Sequence, residues 1–522
     1  MRTPPKDVKR KPNILFISVD DLRPELGCYG KTHVHSPAID RLAREGRLFE
    51  RAYCQQPICG PSRTSLLTGK RPDRLGITEN DIHFRDLVSD TLTLPEYFGQ
   101  QGYDTVGIGK VFHDNVPDPQ SWNRPAANIA FELPEGVLGY QDPETLAYFE
   151  KRHPEIRRDW GEEFIYSVGS GPVCESMDLP DDAYQDGQST ERAIATLHEL
   201  GDRPFFMGVG FKKPHLPFIA PEKYWALYDP ETLPLTPCPE APLHGTALGL
   251  HASFELRTRM GVTKEGPLSE SEARHLIHGY LAGVSYTDAQ VGRLLDTLDD
   301  LGLRENTIIV LWADHGWHLG DLGIWGKATL HEQAARIPLL FSLPRQAQAG
   351  VSTTALAELV DLFPTLCSLA DLPLPDDLDG EDLSPVLKDP RSKIKSATFT
   401  QFPCTALREW AARPLSEPMR KTFFGPLIEE QERKLAAENP DRYDRDLYEN
   451  HLMGYSIRTD LHRLTLWVDE RIKTGEPFAV ELYDHQVDPN ETVNLAGSAE
   501  VQIFEKELTQ QLGHYITTGS SL

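Results

Sequence analysis

The chain has 522 residues, with 53 Lys plus Arg against 79 Asp plus Glu, a formal charge of −26. That balance excludes a general nucleic-acid binder or a basic membrane-surface protein, and 39% apolar residues with 8 Trp, 21 Phe and 17 Tyr exclude a disordered acidic chain. No apolar run approaches the roughly 20 residues of a membrane-spanning helix, so the sequence reads as a soluble globular protein with one large domain and a smaller partner.

The opening stretch, MRTPPKDVKRKPN, is basic and proline-rich and lacks the apolar core of a secretory signal. It predicts a protein kept inside the cell, or one whose signal lies outside this sequence. Residues 14–19 form the first strand. Ser36-Pro37 then supplies an N-cap and a first-turn proline, with Ile39, Leu42 and Ala43 on one face and Gly46 as the stop. Residues 104–108, 204–209 and 306–312 are further strands of the fully buried type. Ahead of the last, Ser269 and Glu272 form a capping box for a long helix carrying Leu276, Tyr280, Val284, Val291, Leu295 and Leu298, closed by Gly302. This alternation predicts an α/β fold, a large, mostly parallel sheet sandwiched by helices.

Residues 114–200 and 221–268 are rich in Pro, Gly and acids, show no clear period, and read as long insertions over the sheet. After an apolar run at 338–341 and a helix over 359–370, a Pro/Asp/Gly linker at 372–385 leads into a different texture. Residues 399–402, 454–458, 464–467 and 479–483 alternate like antiparallel strands. The expected division is a catalytic domain at 12–390 and a smaller C-terminal α/β domain at 391–522. Between those strands, the charged stretch 429–445 reads as a solvated surface helix.

In open parallel sheets, ligands gather outside the carboxyl ends of the strands. Here Val19 runs into Asp20-Asp21, Ile108 into Gly109-Lys110 and then His113, Val209 into Lys212-Lys213-Pro214-His215, and Trp312 into Asp314-His315-Gly316. A lone Asp-Asp is as readily a turn cap. Two adjacent carboxylates with Asp314 after another strand point to a hard divalent cation, Ca²⁺ or Mg²⁺, with His315 as a nitrogen ligand. Lys110, His113, His215 and Lys327 are each unremarked alone; together, beside an acid cluster, they suit an anionic substrate bound next to a metal.

Seven cysteines (Cys28, Cys54, Cys59, Cys174, Cys238, Cys367, Cys404) show no zinc-type pairs, and an odd, sparse set describes no disulfide framework. Cys59 opens the sharpest motif, Cys59-Gly60-Pro61-Ser62-Arg63. Pro61 suits a first helical turn, so Cys59 stands where free backbone N–H groups and the helix dipole favour an anion, with Arg63 one turn on. A buried structural thiol is the plain alternative, and a nucleophile or its precursor the chemical one. Cysteine phosphatases share the Cys and Arg but use a longer loop without metal-binding carboxylates.

This C-x-P-S-R motif with its trailing Leu67-Thr68-Gly69 resembles the signature of the type I sulfatases of the alkaline-phosphatase-like superfamily. The likeness continues through Asp20-Asp21, Gly109-Lys110, Lys213-Pro-His215, Asp314-His315-Gly316, Lys327 and the late Glu481-Leu-Tyr-Asp484. Within the family, Val19-Asp-Asp-Leu-Arg-Pro24, Lys213-Pro-His-Leu-Pro-Phe218 and Asp314-His-Gly-Trp317 resemble members that act on uronate 2-sulfates.

The resemblance implies that Asp20, Asp21, Asp314 and His315 hold Ca²⁺ together with Cys59, which a formylglycine-generating enzyme converts to Cα-formylglycine. The hydrated aldehyde would attack sulfur, Arg63 and Lys110 would stabilise it, His113 would take a proton, and His215 and Lys327 would bind sulfate and help protonate the leaving oxygen. The implied substrate is a sulfated carbohydrate, a 2-O-sulfated uronate or related polysaccharide-derived oligosaccharide. Trp317, His83, Arg85 and Arg458, with Arg463, are candidate contacts for the sugar carboxylate. Family precedent favours an extracytoplasmic enzyme. The rival readings are a phosphate or phosphonate ester hydrolase of the same superfamily, and a sulfated-glycan binding protein in which Cys59 stays a thiol.

Overall fold

In the computed structural model, which describes residues 10–114, 116–124, 139–161, 164–409 and 419–519, the strand Asn13–Val19 (β1) is buried at every position. The basic start of the chain, through residue 9, lies outside the described residues. A strand that is apolar throughout must be covered on both faces, and β1 lies near the middle of a seven-stranded sheet. The others are Arg47–Tyr53 (β2), Asp104–Gly109 (β3), Phe205–Phe211 (β4), Thr307–Ala313 (β5), Arg336–Ser342 (β6) and Thr353–Glu358 (β7), in the order β7-β2-β6-β5-β1-β4-β3. From β5 to β3 all neighbours are parallel, while β6 runs antiparallel to β5 and β2. The fold is therefore mixed α/β with a mostly parallel main sheet, as the sequence predicts.

Strands β2 and β7 are absent from the sequence reading. In β2 the charges of Arg47, Glu50 and Arg51 hide the strand pattern, yet Arg47 is buried because carbonyls of Ala347, Gln348 and Leu387 take its guanidinium at 3.2–3.3 Å. A buried cation is tolerated when its donors are so occupied.

Helices Pro37–Glu45 (α1), Gln185–Leu200 (α3) and Glu270–Asp300 (α4) pack together on the sheet, and Cys59–Thr68 (α2) packs with Leu362–Leu369 (α5). The predicted capping box of α4 is present in both halves. The first region expected to be an insertion, 114–200, holds two long helices, Pro143–Asp159 and α3. The second is a crossover helix lying against β3 and β4. Its buried face of Asp186, Gly187, Ser189, Thr190 and Ala193 is too small and polar to show an apolar period.

Strands Ala397–Pro403 (β8), Leu452–Thr459 (β9), His462–Asp469 (β10) and Ala479–Asp484 (β11) form a separate antiparallel sheet. Gly425–Glu438 (α6) corrects the expectation of a solvated helix over 429–445: it stops at Glu438 and buries Leu427, Ile428, Gln431 and Leu435. Gln502–Thr518 (α7) packs on β9 and β10. The two sheets are joined by a buried ionic cluster. Arg463 reaches Glu332 at 2.6 Å and Glu491 at 2.5 Å, while His331 and His485 meet Glu491 at 2.9 and 2.8 Å. Among the described residues no helix is long and apolar enough to cross a membrane, and all seven cysteines are free.

Candidate active site

The carboxyl ends of the parallel strands and the start of α2 converge on one cleft. Directly after β1, Asp21 takes a left-handed backbone (φ 57°), and its carbonyl accepts a hydrogen bond from the Tyr280 hydroxyl at 2.9 Å. Local strain of this kind is often stored at functional sites. After β5, Asp314 accepts from the N–H groups of Asp21 (3.3 Å) and His315 (3.0 Å), tying the two strand ends together.

Cys59 is the first residue of α2, as predicted. Its Sγ lies 3.4 Å from Asp20 Oδ1, 3.3 Å from His315 Nε2 and 3.5 Å from Lys327 Nζ. The next residue must be glycine: Gly60 N–H donates to Asn80 Oδ1 at 2.8 Å, and an added Cβ would stand 2.9 Å from the Asn80 Cα. Arg63, wholly buried, gives Nε to Asp314 Oδ2 at 2.8 Å and Nη1 to the Lys110 and Val111 carbonyls, over the Trp312 ring. Its Nη2 has no hydrogen-bond partner and points to within 3.5 Å of Asp20.

Cations pair with the acids. Lys110 Nζ donates to Asp20 Oδ2, and Lys327 Nζ donates to Asp21 Oδ1 at 2.9 Å while lying 5.5 Å over the Trp317 ring. Burial disfavours both ammonium ions, but Asp20 and Asp21 respectively outweigh it, and both stay charged. His215 Nδ1 faces the Leu216 carbonyl at 2.5 Å and so carries the proton, leaving Nε2 3.7 Å from Asp21 Oδ2. His113 borders the same charges; burial and then the Lys110 charge push it down to about 3, and its Nδ1 has no hydrogen-bond partner. It is neutral at physiological pH, in the form that accepts a proton.

Oxygen, sulfur and nitrogen atoms of Asp20, Asp21, Cys59 and His315 all lie within 4.8 Å of one another, and every one of these residues is buried. The set fits a divalent cation on three grounds. Asp21 Oδ2 is buried without a hydrogen-bond partner. Burial, with Asp20, Glu255 and Asp314, pushes the Asp21 carboxyl up despite Lys327, so its ionised form wants a further counter-ion. His315 Nδ1 is turned to the Gly316 carbonyl at 3.0 Å, which frees Nε2 as a ligand. Asp314 stands just outside this quartet, 3.6 Å from His315 Nε2. The thiol itself is poorly activated: burial and then the Asp20 charge push Cys59 well above the ordinary cysteine range.

Of the predicted sugar contacts, only Trp317 reaches the cleft, buried beneath Lys327 with its Nε1 unpartnered. The others are held by partners within the protein. Arg85 spends its guanidinium on Asp118 (2.7 and 2.8 Å), Glu96 and the Thr91 carbonyl. His83 stacks on Phe84 with both ring nitrogens engaged, by Arg85 N–H and the Pro117 carbonyl. Arg458 and Arg463 belong to the ionic cluster between the sheets. Sequence reasoning missed Glu255, whose carboxylate lies 3.6 Å from His215 Nε2 and 3.8 Å from Lys327 Nζ. It arrives on a segment without periodicity, and no sequence signal marks it.

A buried acid pair and imidazole around a helix-start sulfur, ringed by Arg63, Lys110 and Lys327 on this sheet, define a hydrolase of tetrahedral oxyanion esters with the alkaline-phosphatase-like fold. The sulfatase family matches residues 12–372, and the chain belongs to that family: it is a sulfuric ester hydrolase. It is 33% identical to iduronate 2-sulfatase of Homo sapiens over 92% of this chain and 90% of that one. Among solved structures it is similar in fold to an enzyme complexed with its substrate D-glucosamine-2-N,6-O-disulfate (TM-score 0.68, 22% identity, 97% and 98% of the two chains). The phosphonate monoester hydrolase of Agrobacterium radiobacter is similar as well (TM-score 0.71, 22% identity, 98% and 96%).

Proposed function

We propose that the chain removes the sulfate of a 2-O-sulfated uronate, or a related sugar of a polysaccharide-derived oligosaccharide, with Ca²⁺ and a formylglycine made from Cys59. The observation that carries this reading is the buried quartet of Asp20, Asp21, Cys59 and His315 at the start of α2. The likeness to iduronate 2-sulfatase over nine-tenths of both chains supports the choice of sugar. Asp20, Asp21, Asp314 and His315 would hold the cation, whose charge offsets those of the carboxylates and the bound sulfate.

As a hydrated formylglycine, made by a formylglycine-generating enzyme, residue 59 would supply the nucleophilic hydroxyl for sulfur, and neutral His113 would be placed to take the proton of the second hydroxyl. Arg63 and Lys110 stabilise the oxyanion. Lys327, which stays protonated, would bind a sulfate oxygen and supply the proton to the leaving sugar oxygen, with His215 beside it at the same oxygens.

The test joins the mass of the Cys59 peptide to sulfate release from uronate 2-sulfates, hexosamine sulfates, algal sugar sulfates and matched phosphate esters. An aldehyde or its hydrate, with uronate 2-sulfate turned over best, is expected. A thiol alone from a host that makes formylglycine, or faster cleavage of the phosphate ester, would overturn the mechanism; a strict preference for amino-sugar 6-sulfates would overturn the substrate.

A further inference from the structure

Glu255 puts a negative charge where a sulfate-binding cleft has least use for one. Its carboxylate stands beside both His215 and Lys327, and among the described residues it accepts no hydrogen bond. Its side chain is 19% exposed, against 22% for His215 and 8% for Lys327, so the acid is no more deeply buried than the groups it sits beside. Nor is the placement loose. The N–H groups of Phe254 and Glu255 donate to Glu409 at 2.9 and 3.2 Å, and Ser253 turns through a left-handed conformation (φ 58°) with its Oγ accepting from Trp325 N–H at 2.9 Å. His251 Nε2 meets the Lys327 carbonyl at 2.7 Å. The segment that carries Glu255 is thus pinned to the loop that carries Lys327, and the two side chains stand 3.8 Å apart as a fixed pair.

Resting on the sulfatase reading above, we infer that Glu255 is a specificity-determining residue that reads the carbon next to the sulfate ester. With the sulfate oxygens on Lys327 and His215, the Glu255 carboxylate accepts a hydrogen bond from a free hydroxyl on the neighbouring carbon of the leaving sugar. A second sulfate at that carbon would meet like charge and be rejected, so the site selects sugars sulfated at one of two adjacent positions.

The mature full-length enzyme is assayed on a uronate 2-sulfate with a free neighbouring hydroxyl, its deoxy analogue and its vicinal disulfate, with 4-nitrophenyl sulfate and 4-nitrophenyl phosphate as chemistry controls. For the wild type, kcat/KM for the hydroxyl substrate should exceed that for the deoxy analogue about 10- to 100-fold, the range of one hydrogen bond to a charged group. Glu255→Ala should collapse that ratio to near one. Glu255→Gln should keep part of it and raise kcat/KM for the disulfate at least about tenfold as a like-charge contact is relieved, a gain that a damaged fold cannot produce. Equal losses on the hydroxyl and deoxy esters, or no gain on the disulfate, would overturn the assignment and leave the sulfatase reading standing. A wild type that cleaves the aryl phosphate and none of the sulfate esters would overturn both.

Discussion

Lys327 touches the Cys59 sulfur and Asp21 at once and lies over Trp317, so a single ammonium group links the helix-start residue, the acid pair and a buried aromatic ring. Replacing it should cost mainly catalysis. Lys327→Ala is expected to lower kcat about 10²- to 10³-fold, as for loss of one preorganised charge at an oxyanion, with steady-state kinetics as the check; a loss confined to KM would mean that Lys327 only binds. At this scale the sequence was readable wherever a residue follows a strand directly, because parallel strands bring their carboxyl ends together whatever lies between them. Asp20, Asp21, Lys110, His215 and Asp314 come together for that reason. For Arg85 and Arg458 the charge is visible in sequence and the partner is not: in the fold they pair with Asp118 and Glu332.

Among the elements, long runs with a clear period were legible, and α4 with its Ser269–Glu272 box is the plainest case. Ser269→Ala should lower stability by about 1 kcal/mol, the usual worth of an N-cap, as a shift of the denaturant midpoint. Because the cap lies about three turns ahead of Tyr280, the residue of this helix that bonds Asp21, kcat should not change. The elements that were missed fail for the opposite reason. In α3 the buried face is small and polar because the helix must lie close to β3 and β4, and in β2 the charged residues find carbonyl partners that only the folded chain supplies.

Across the whole molecule, a charge of −26 surrounds a cleft lined by Arg63, Lys110 and Lys327, so substrate attraction is a property of the local field. The two sheets are held by a different balance. Burial pushes the Glu332 carboxyl up, but Arg458, His485 and Arg463 overcome it and hold it at about 2, against an ordinary 4.5. A depressed folded-state pKa stabilises the protein fully above about pH 4.5 and loses that contribution as pH falls towards 2. The thermal midpoint of the wild type should therefore fall more steeply over that window than that of Glu332→Gln, and parallel curves would remove Glu332 from the account of acid stability. The net charge was legible from the sequence, but this junction was not, since its members lie between residues 331 and 491 with no shared motif.

The burial of Cys59 also has a meaning in time. At 1% exposure, beneath Lys327 and against Asp20, its side chain is shut away from another enzyme in the folded chain. On the proposed chemistry, the oxidation must come before folding ends, and a copy that folds first keeps its thiol for life. Two populations with one sequence and one fold would then differ only in the order of two early events, and the active fraction of a preparation would record how that race was run during synthesis.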